Sequence, residues 1–343
     1  MKKLAIVFPL VLIALIIGVF LFKKVTPSND GQDISISRSG FYFDTVITIT
    51  LYGETDESLI DDCFQLCEQE EARLSHTVED SEIWKINHAG GKPVEVSYQT
   101  GDLIREALSY SELTDGLFDI SIAAVSDLWD FEDKSSALPD PNAVREAVTH
   151  VDYRKIDVSE SSGDEEFTCT VRLDDPDMQI TLGGIAKGYI ADELKSLLES
   201  KGVKHALINL GGNVLAVGGK KDGSPFKVGI QYPFKNEGEI IAAADVKDRS
   251  LVTSGSYERY VESDGKIWHH ILDPKTGYAV DNDLVSVTIC CDSSLQADAL
   301  STSVFLLGLE RGAKLIEQTD GVSALIITDD YELHTVGDFP LID

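Results

Sequence analysis

The chain has 343 residues, enough for one large domain with a sizeable core or for two modest ones. Its 59 Asp and Glu against 29 Lys and Arg give a formal charge of -30, a surface that repels nucleic-acid phosphates and argues against a nucleic-acid partner. The five cysteines (Cys63, Cys67, Cys169, Cys290 and Cys291) make no CxxC and no zinc spacing, so they read as buried free thiols.

In chain order, Lys2 and Lys3 precede an unbroken apolar run from Leu4 to Phe22. As a helix this run spans roughly 30 Å, about the thickness of a bilayer's hydrocarbon. Lys23 and Lys24 follow, with no small-x-small cleavage pattern and no cysteine to carry a lipid. The reading is a single uncleaved signal anchor at the cell membrane, with a cleaved signal peptide as the alternative. It divides the chain into an anchor (1–24), a linker (25–39) and one folded domain (40–343). Phe41 to Tyr52 reads as a strand. Glu57 to Leu74 is an amphipathic helix, Ser81 to Asn87 a short helix or turn, and Asp102 to Thr114 a helix ended by Asp115-Gly116. Asp130 to Glu166 reads as loop-rich and acidic, with Ser159 to Glu166 a solvated turn. Met178 to Leu182 reads as a strand and Ile185 to Lys201 as a helix. Strands follow at His205–Asn209, Phe226–Gln231, Ile240–Val246 and Val285–Cys290. A helix from Gln296 to Leu307 ends near Gly308 and Gly312, before strands at Ser323–Thr328 and Glu332–Val336. The fold class is α+β, with mixed or antiparallel sheets and packed helices.

Five segments carry chemistry. Leu182-Gly183-Gly184-Ile185-Ala186-Lys187-Gly188 joins a strand to a helix through a glycine pair. Such a turn lets the backbone approach a phosphate at a helix N-terminus, and it is equally a plain strand–turn–helix. Asn209-Leu210-Gly211-Gly212-Asn213 is open between a second ligand-facing loop and a glycine hairpin. Thr253 to Tyr260 sets hydroxyls beside Gly255, with Arg259 able to neutralise charge or orient a partner. In His269 to Gly277, His270 precedes a tight turn, where it is either a general base oriented by Asp273 or a structural hydrogen bonder. Asp298 and Thr302, four apart, put a carboxylate and a hydroxyl on one helix face. Both are hard oxygen ligands suited to Mg²⁺, or else a surface Asp and a back-bonded Thr.

Together and in this order, LGGIAKGY, INLGGN, TSGSYERY, HHILDPKTGY and ADALSTSVF resemble the FAD:protein FMN transferase family, the ApbE-like flavin transferases once labelled thiamine-synthesis lipoproteins. The likeness runs from about Phe41 to the C-terminus. It implies an ApbE-like, T-fold-related architecture behind the transmembrane helix, and an extracytoplasmic domain. It implies Mg²⁺-dependent transfer of FMN from FAD to a Thr or Ser hydroxyl of a target flavoprotein, such as a membrane redox-complex subunit, with release of AMP. By the same resemblance, Gly184 (through its carbonyl), Asp298 and Thr302, with Ser301 adjacent, match the metal ligands. Phe43, Thr77, Leu117, Phe118, Asp119, Thr181, Lys187 and Leu272 match the FAD contacts, and His270 matches the histidine that activates the acceptor hydroxyl, with a pKa expected near the working pH. The chain departs from many relatives at Thr181 (Asp), Phe43 (Met), Thr77 (a Tyr that packs on the flavin) and Ser301 (a carboxylate in some). The rivals are a Mg²⁺-dependent FAD pyrophosphatase and a flavin-binding protein without turnover.

Overall fold

A computed structural model describes residues 34–162, 167–236 and 238–342. Among the described residues no helix is long and apolar enough to cross a membrane, and the expected anchor lies outside them. The first elements are β1 (Ser35–Tyr42), β2 (Thr45–Tyr52), α1 (Ser58–Leu74), α2 (Glu82–Asn87), β3 (Val94–Ser97), α3 (Tyr98–Leu113), α4 (Ala123–Ser126), α5 (Pro141–Val148), β4 (Ile156–Ser162) and β5 (Phe167–Leu173). Then follow α6 (Ala186–Ser200), β6 (Ala206–Leu210), β7 (Asn213–Val217), β8 (Phe226–Gln231), β9 (Ile240–Val246), β10 (Ser250–Gly255), β11 (Tyr260–Ser263), β12 (Lys266–His269), β13 (Leu284–Cys291), α7 (Ser294–Glu317), β14 (Ser323–Thr328) and β15 (Leu333–Val336).

Eight strands make one sheet in the order β1-β2-β6-β7-β10-β13-β14-β15, antiparallel throughout. In β2 the pleat sends Ile47, Ile49 and Leu51 into the core and leaves Thr48 and Thr50 outside. There they pair with Ser39 and Ser37 across the strand, hydroxyl to hydroxyl at 2.8 Å. The central strands β13 and β14 are buried on both faces, which explains why their sequences are apolar apart from the small hydroxyl residues Ser286, Thr288, Ser323 and Thr328. Val287, Ile289 and Ile326 pack under the helices, whereas Cys290, Leu325 and Ile327 meet Phe226, Ile230 and Val246 of the β8–β9 hairpin on the other face. A separate small sheet, β3-β5-β4, lies beside α3.

The structure redraws several boundaries. The expected strand from Phe41 to Tyr52 is half of a hairpin, turned at Phe43 and Asp44 with φ of 53° and 54°, the double positive φ of a type I′ turn. Residues 35–39, read as linker, belong to β1. Met178 to Leu182 is extended but makes only a single bridge, Gln179 to Ile122. It is held instead by the Asn87 side chain, which donates to the Ile180 carbonyl at 2.9 Å and accepts its N–H at 2.7 Å. The acidic stretch read as loop contains α5, started by Asp140 and Pro141, and β4, which takes in Ser159.

Two helices define the centre of the molecule. Asp192 of α6 accepts the N–H groups of Ser294 and Leu295 at 2.9 and 3.0 Å, at the N-terminus of α7. In return, Asp298 of α7 accepts Gly188 N–H, in the first turn of α6, at 2.8 Å. A Cβ at Gly188 would lie 2.3 Å from the Ser294 carbonyl oxygen, so only glycine permits this approach.

Candidate active site

The site is built where the first turns of α6 and α7 face the end of β10. Asp298 is buried, and no Lys or Arg pairs with it among the described residues. Beside it, Ser254 Oγ lies 2.8 Å from Ser301 Oγ and 3.2 Å from Thr302 Oγ1. Ser301 Oγ also donates back to the Asp298 carbonyl at 2.9 Å, so its hydroxyl supports the turn that carries Asp298. Gly184 lies against the Phe118 ring and the Thr302 methyl, where a Cβ would come within 2.9 and 3.9 Å. Gly184 thus neighbours Thr302, which stands one helical turn from Asp298, and the three residues bring a carbonyl, a hydroxyl and a carboxylate to this corner. This hard-oxygen set fits Mg²⁺, and a buried carboxylate without a cationic partner is the state such an ion would relieve.

The other expected contacts gather unevenly. Lys187 Nζ donates to the Gly183 carbonyl at 3.4 Å, which keeps an ammonium over the glycine pair. Leu117 and Phe118 follow α3 and run beside Thr181, whose N–H donates to Ile120 at 2.8 Å. Thr77 is exposed next to His76, and His76 Nδ1 lies 3.4 Å from Thr181 Oγ1. Phe43 sits in the β1–β2 turn, its N–H donated to Glu71 Oε1 at 2.6 Å. Asp119 and Leu272 have side chains already committed. The Asp119 carboxylate accepts the Ser121 hydroxyl and N–H and the Tyr153 N–H, while burial raises its pKa. Leu272 is packed with Val125 and Trp129. The second glycine pair, Gly211-Gly212, closes the β6–β7 hairpin, so its hairpin reading holds; both residues have positive φ.

His270 follows β12. Its Nδ1 lies 3.2 Å from the Arg259 carbonyl, which can only accept, so Nδ1 carries the proton and Nε2 keeps its lone pair. The expected partner, Asp273, does not orient it: Asp273 Oδ1 takes Lys275 N–H at 2.8 Å inside the following turn. Nor does the pKa sit near neutrality. Loss of hydration, with His269 and Lys187 adding to it, pushes His270 down to about 3, so the imidazole is neutral. His269 points the other way in the strand, buried against Phe305, and burial lowers it to about 4.

Glu258 was named only as part of its segment. Solvent reaches it, yet protein surrounds its carboxyl on most sides. Lost hydration pushes it up to about 7, against the pull of Lys187 and with a further push from Asp298. It therefore shares the electrostatic neighbourhood of Lys187, Asp298 and Arg259. Its place in TSGSYERY, one step before Arg259, was the available sign.

Comparison with known proteins places the chain in a family. The model of the ApbE family matches residues 43–326. The FAD:protein FMN transferase of Klebsiella pneumoniae (strain 342) is 36% identical over 298 residues, covering 87% of this chain and 90% of that protein. That of Treponema pallidum (strain Nichols) is 35% identical over 307 residues, covering 86% and 84%. Among solved structures, the flavin transferase ApbE from Vibrio cholerae superposes with a TM-score of 0.77 at 26% identity, over 89% of this chain and 98% of that one. The ApbE protein of Thermotoga maritima gives 0.76 at 28%, over 88% and 97%. With the family model spanning most of the domain and relatives above 30% identity along nearly their whole length, this chain is an enzyme of the ApbE family.

Proposed function

We propose that the protein transfers FMN from FAD to a Thr or Ser hydroxyl of a target flavoprotein, forming a phosphoester and releasing AMP. The acceptor oxygen attacks the FMN phosphorus, and the bond from that phosphorus to the oxygen shared with the AMP phosphate breaks. The observation that carries the reading is a neutral His270, with Nε2 bare, in the same electrostatic neighbourhood as the glycine turn and its Lys187. Phosphoryl transfer asks for positioning and charge neutralisation more than for covalent chemistry. Mg²⁺ held by the Gly184 carbonyl, Asp298 and Thr302, with Ser301 beneath them, would neutralise the pyrophosphate.

The FAD would lie against Phe43, Thr77, Leu117, Phe118, Thr181 and Lys187, with Asp119 and Leu272 contributing through their main chain. His270 Nε2 takes the acceptor's proton. Lost hydration is the main cause of its low pKa, and a pyrophosphate anion bound beside Lys187 would favour the imidazolium and raise it. The target is a membrane redox-complex subunit, reached by a domain held at the extracytoplasmic face by the N-terminal helix.

The test is mass spectrometry of a Thr-bearing acceptor after incubation with FAD and Mg²⁺. The expected result is a gain equal to one FMN phosphoester, lost with EDTA and reduced at least ~100-fold in Asp298→Asn, since a metal of this kind supplies several kcal/mol of charge stabilisation. The amide of that variant can still accept Gly188 N–H, which keeps the fold. Free FMN and AMP with no modified acceptor would make the enzyme a pyrophosphatase.

A further inference from the structure

His270 continues the β11–β12 ladder. Tyr260 pairs with His269, and one step further His270 N–H donates to the Arg259 carbonyl at 3.1 Å. The same oxygen accepts from His270 Nδ1 at 3.2 Å. One carbonyl therefore fixes both the main chain and the ring of His270. That carbonyl lies just outside β11, where the ladder alone does not hold it. What holds it is the side chain of the same residue: Arg259 Nη2 donates to the Asp44 carbonyl at 2.8 Å, across to the β1–β2 turn. This anchor point is itself well fixed. Phe43 N–H bonds Glu71, and Thr45 packs so closely on Gly211 that a Cβ there would lie 2.0 Å from Thr45 Oγ1.

Resting on the transfer reading above, we propose that Arg259 is the positioning residue of His270. Its guanidinium, tied to the Asp44 carbonyl, sets the place of its own carbonyl, and that carbonyl sets the tautomer and direction of the imidazole. The same tie links the general base to the turn that carries Phe43, so the group acting on the acceptor and the edge of the FAD site move as one piece. The simpler alternative, that Arg259 only neutralises a phosphate, predicts a loss of FAD affinity instead.

The experiment uses the full chain in four variants: Arg259→Ala, Arg259→Lys, His270→Ala and the double variant Arg259→Ala with His270→Ala. Arg259 is exposed, so its truncation leaves the core packing alone. Imidazole ¹⁵N NMR, with His270→Ala for assignment, reads the tautomer directly. The wild type should hold the Nδ1–H form, Arg259→Ala should shift toward Nε2–H, and Arg259→Lys, which retains one donor, should recover most of the wild-type signal. In single-turnover transfer at saturating FAD and Mg²⁺, Arg259→Ala should be roughly 10–100-fold slower, with FAD affinity within about threefold of wild type. In the His270→Ala background the same truncation should add almost nothing, because groups acting through one another are not additive. An unchanged tautomer in Arg259→Ala, losses that multiply in the double variant, or a defect confined to FAD affinity would each overturn the proposal. If the wild type forms no FMN–protein bond, the transfer reading fails, and the tautomer measurement still decides the role of Arg259.

Discussion

At the scale of single residues, the two adjacent histidines divide cleanly. His270→Ala should leave FAD binding nearly intact and slow transfer by roughly 10²–10⁴-fold, the usual worth of a general base; a binding isotherm and a single-turnover assay on one variant separate the two effects. Collapse of both would make His270 a binding residue. His269 should appear in stability instead. Its pKa is about 4 in the fold against an ordinary 6.5, so the unfolded chain binds the extra proton between those values. Its contribution is complete above pH ~6.5 and is lost as the pH falls toward 4, by at most on the order of 3 kcal/mol. Chemical denaturation at pH 7 and pH 4.5 should show His269→Gln flattening that slope; equal slopes would remove the assignment. His269→Ala should therefore spare transfer but cost stability, since the ring is buried against Phe305. The residues alone left His270 open between a general base and a structural hydrogen bonder, and only the family resemblance assigned it the acceptor's proton. Its partner was not legible, because Arg259 and His270 meet only through a hairpin register, whereas Asp273 was merely near in number.

Among the elements, the α6–α7 contact decides whether Asp298 stands where the oxygens converge. Gly188→Ala would force a Cβ against the Ser294 carbonyl, the Leu295 Cα and the Asp298 Cβ, none of which is a flexible side-chain end. A cost of about 1–3 kcal/mol follows, as for other overpacked contacts, with Mg²⁺-dependent turnover falling alongside. Thermal unfolding that matches wild type would mean the helices can part without penalty. Elements with a clear period were legible: α1, α6, β8, β9 and β14 fall within a residue or two of expectation. The helix expected to end near Gly308 and Gly312 is only interrupted there: Gly308 breaks it at φ 78° and ψ 174°, and a second helical stretch takes in Gly312 and runs on to Glu317. The misses have separate causes. β3 is four residues long and pairs only with the distant β5, β4 has a polar sequence, β7 is set off from β6 by the glycine pair of their hairpin, and Met178 to Leu182 has a strand's sequence but is held chiefly by the Asn87 side chain in place of a ladder.

On the scale of the whole molecule, α+β with antiparallel sheets was legible, but the strand order was not. β10 lies between β7 and β13 because the intervening β8–β9 hairpin leaves the sheet to cover its far face, and no local pattern encodes that excursion. That Gly184 belongs with Asp298 and Thr302 was likewise an expectation from family likeness, since it lies more than a hundred residues before that helical pair. The net charge of -30 bears on placement. A protease added outside spheroplasts should digest everything after Lys24 and leave the apolar segment behind. Protection of the full chain would put the domain on the cytoplasmic side and end the extracytoplasmic reading.

The β11–β12 hairpin closes through Asp264 and Gly265, both at positive φ, which makes a two-residue turn between Ser263 and Lys266. Neighbouring side chains on a strand face opposite ways, so this turn counts out which histidine reaches the cleft. One residue inserted there, with the two-residue turn kept, would slide β12 by one: His269 would stand opposite Arg259 in the place of His270, and Trp268 would take the place of His269 opposite Tyr260. Which side chain meets the Arg259 carbonyl is thus written as a length, in a loop that supplies no reacting group of its own.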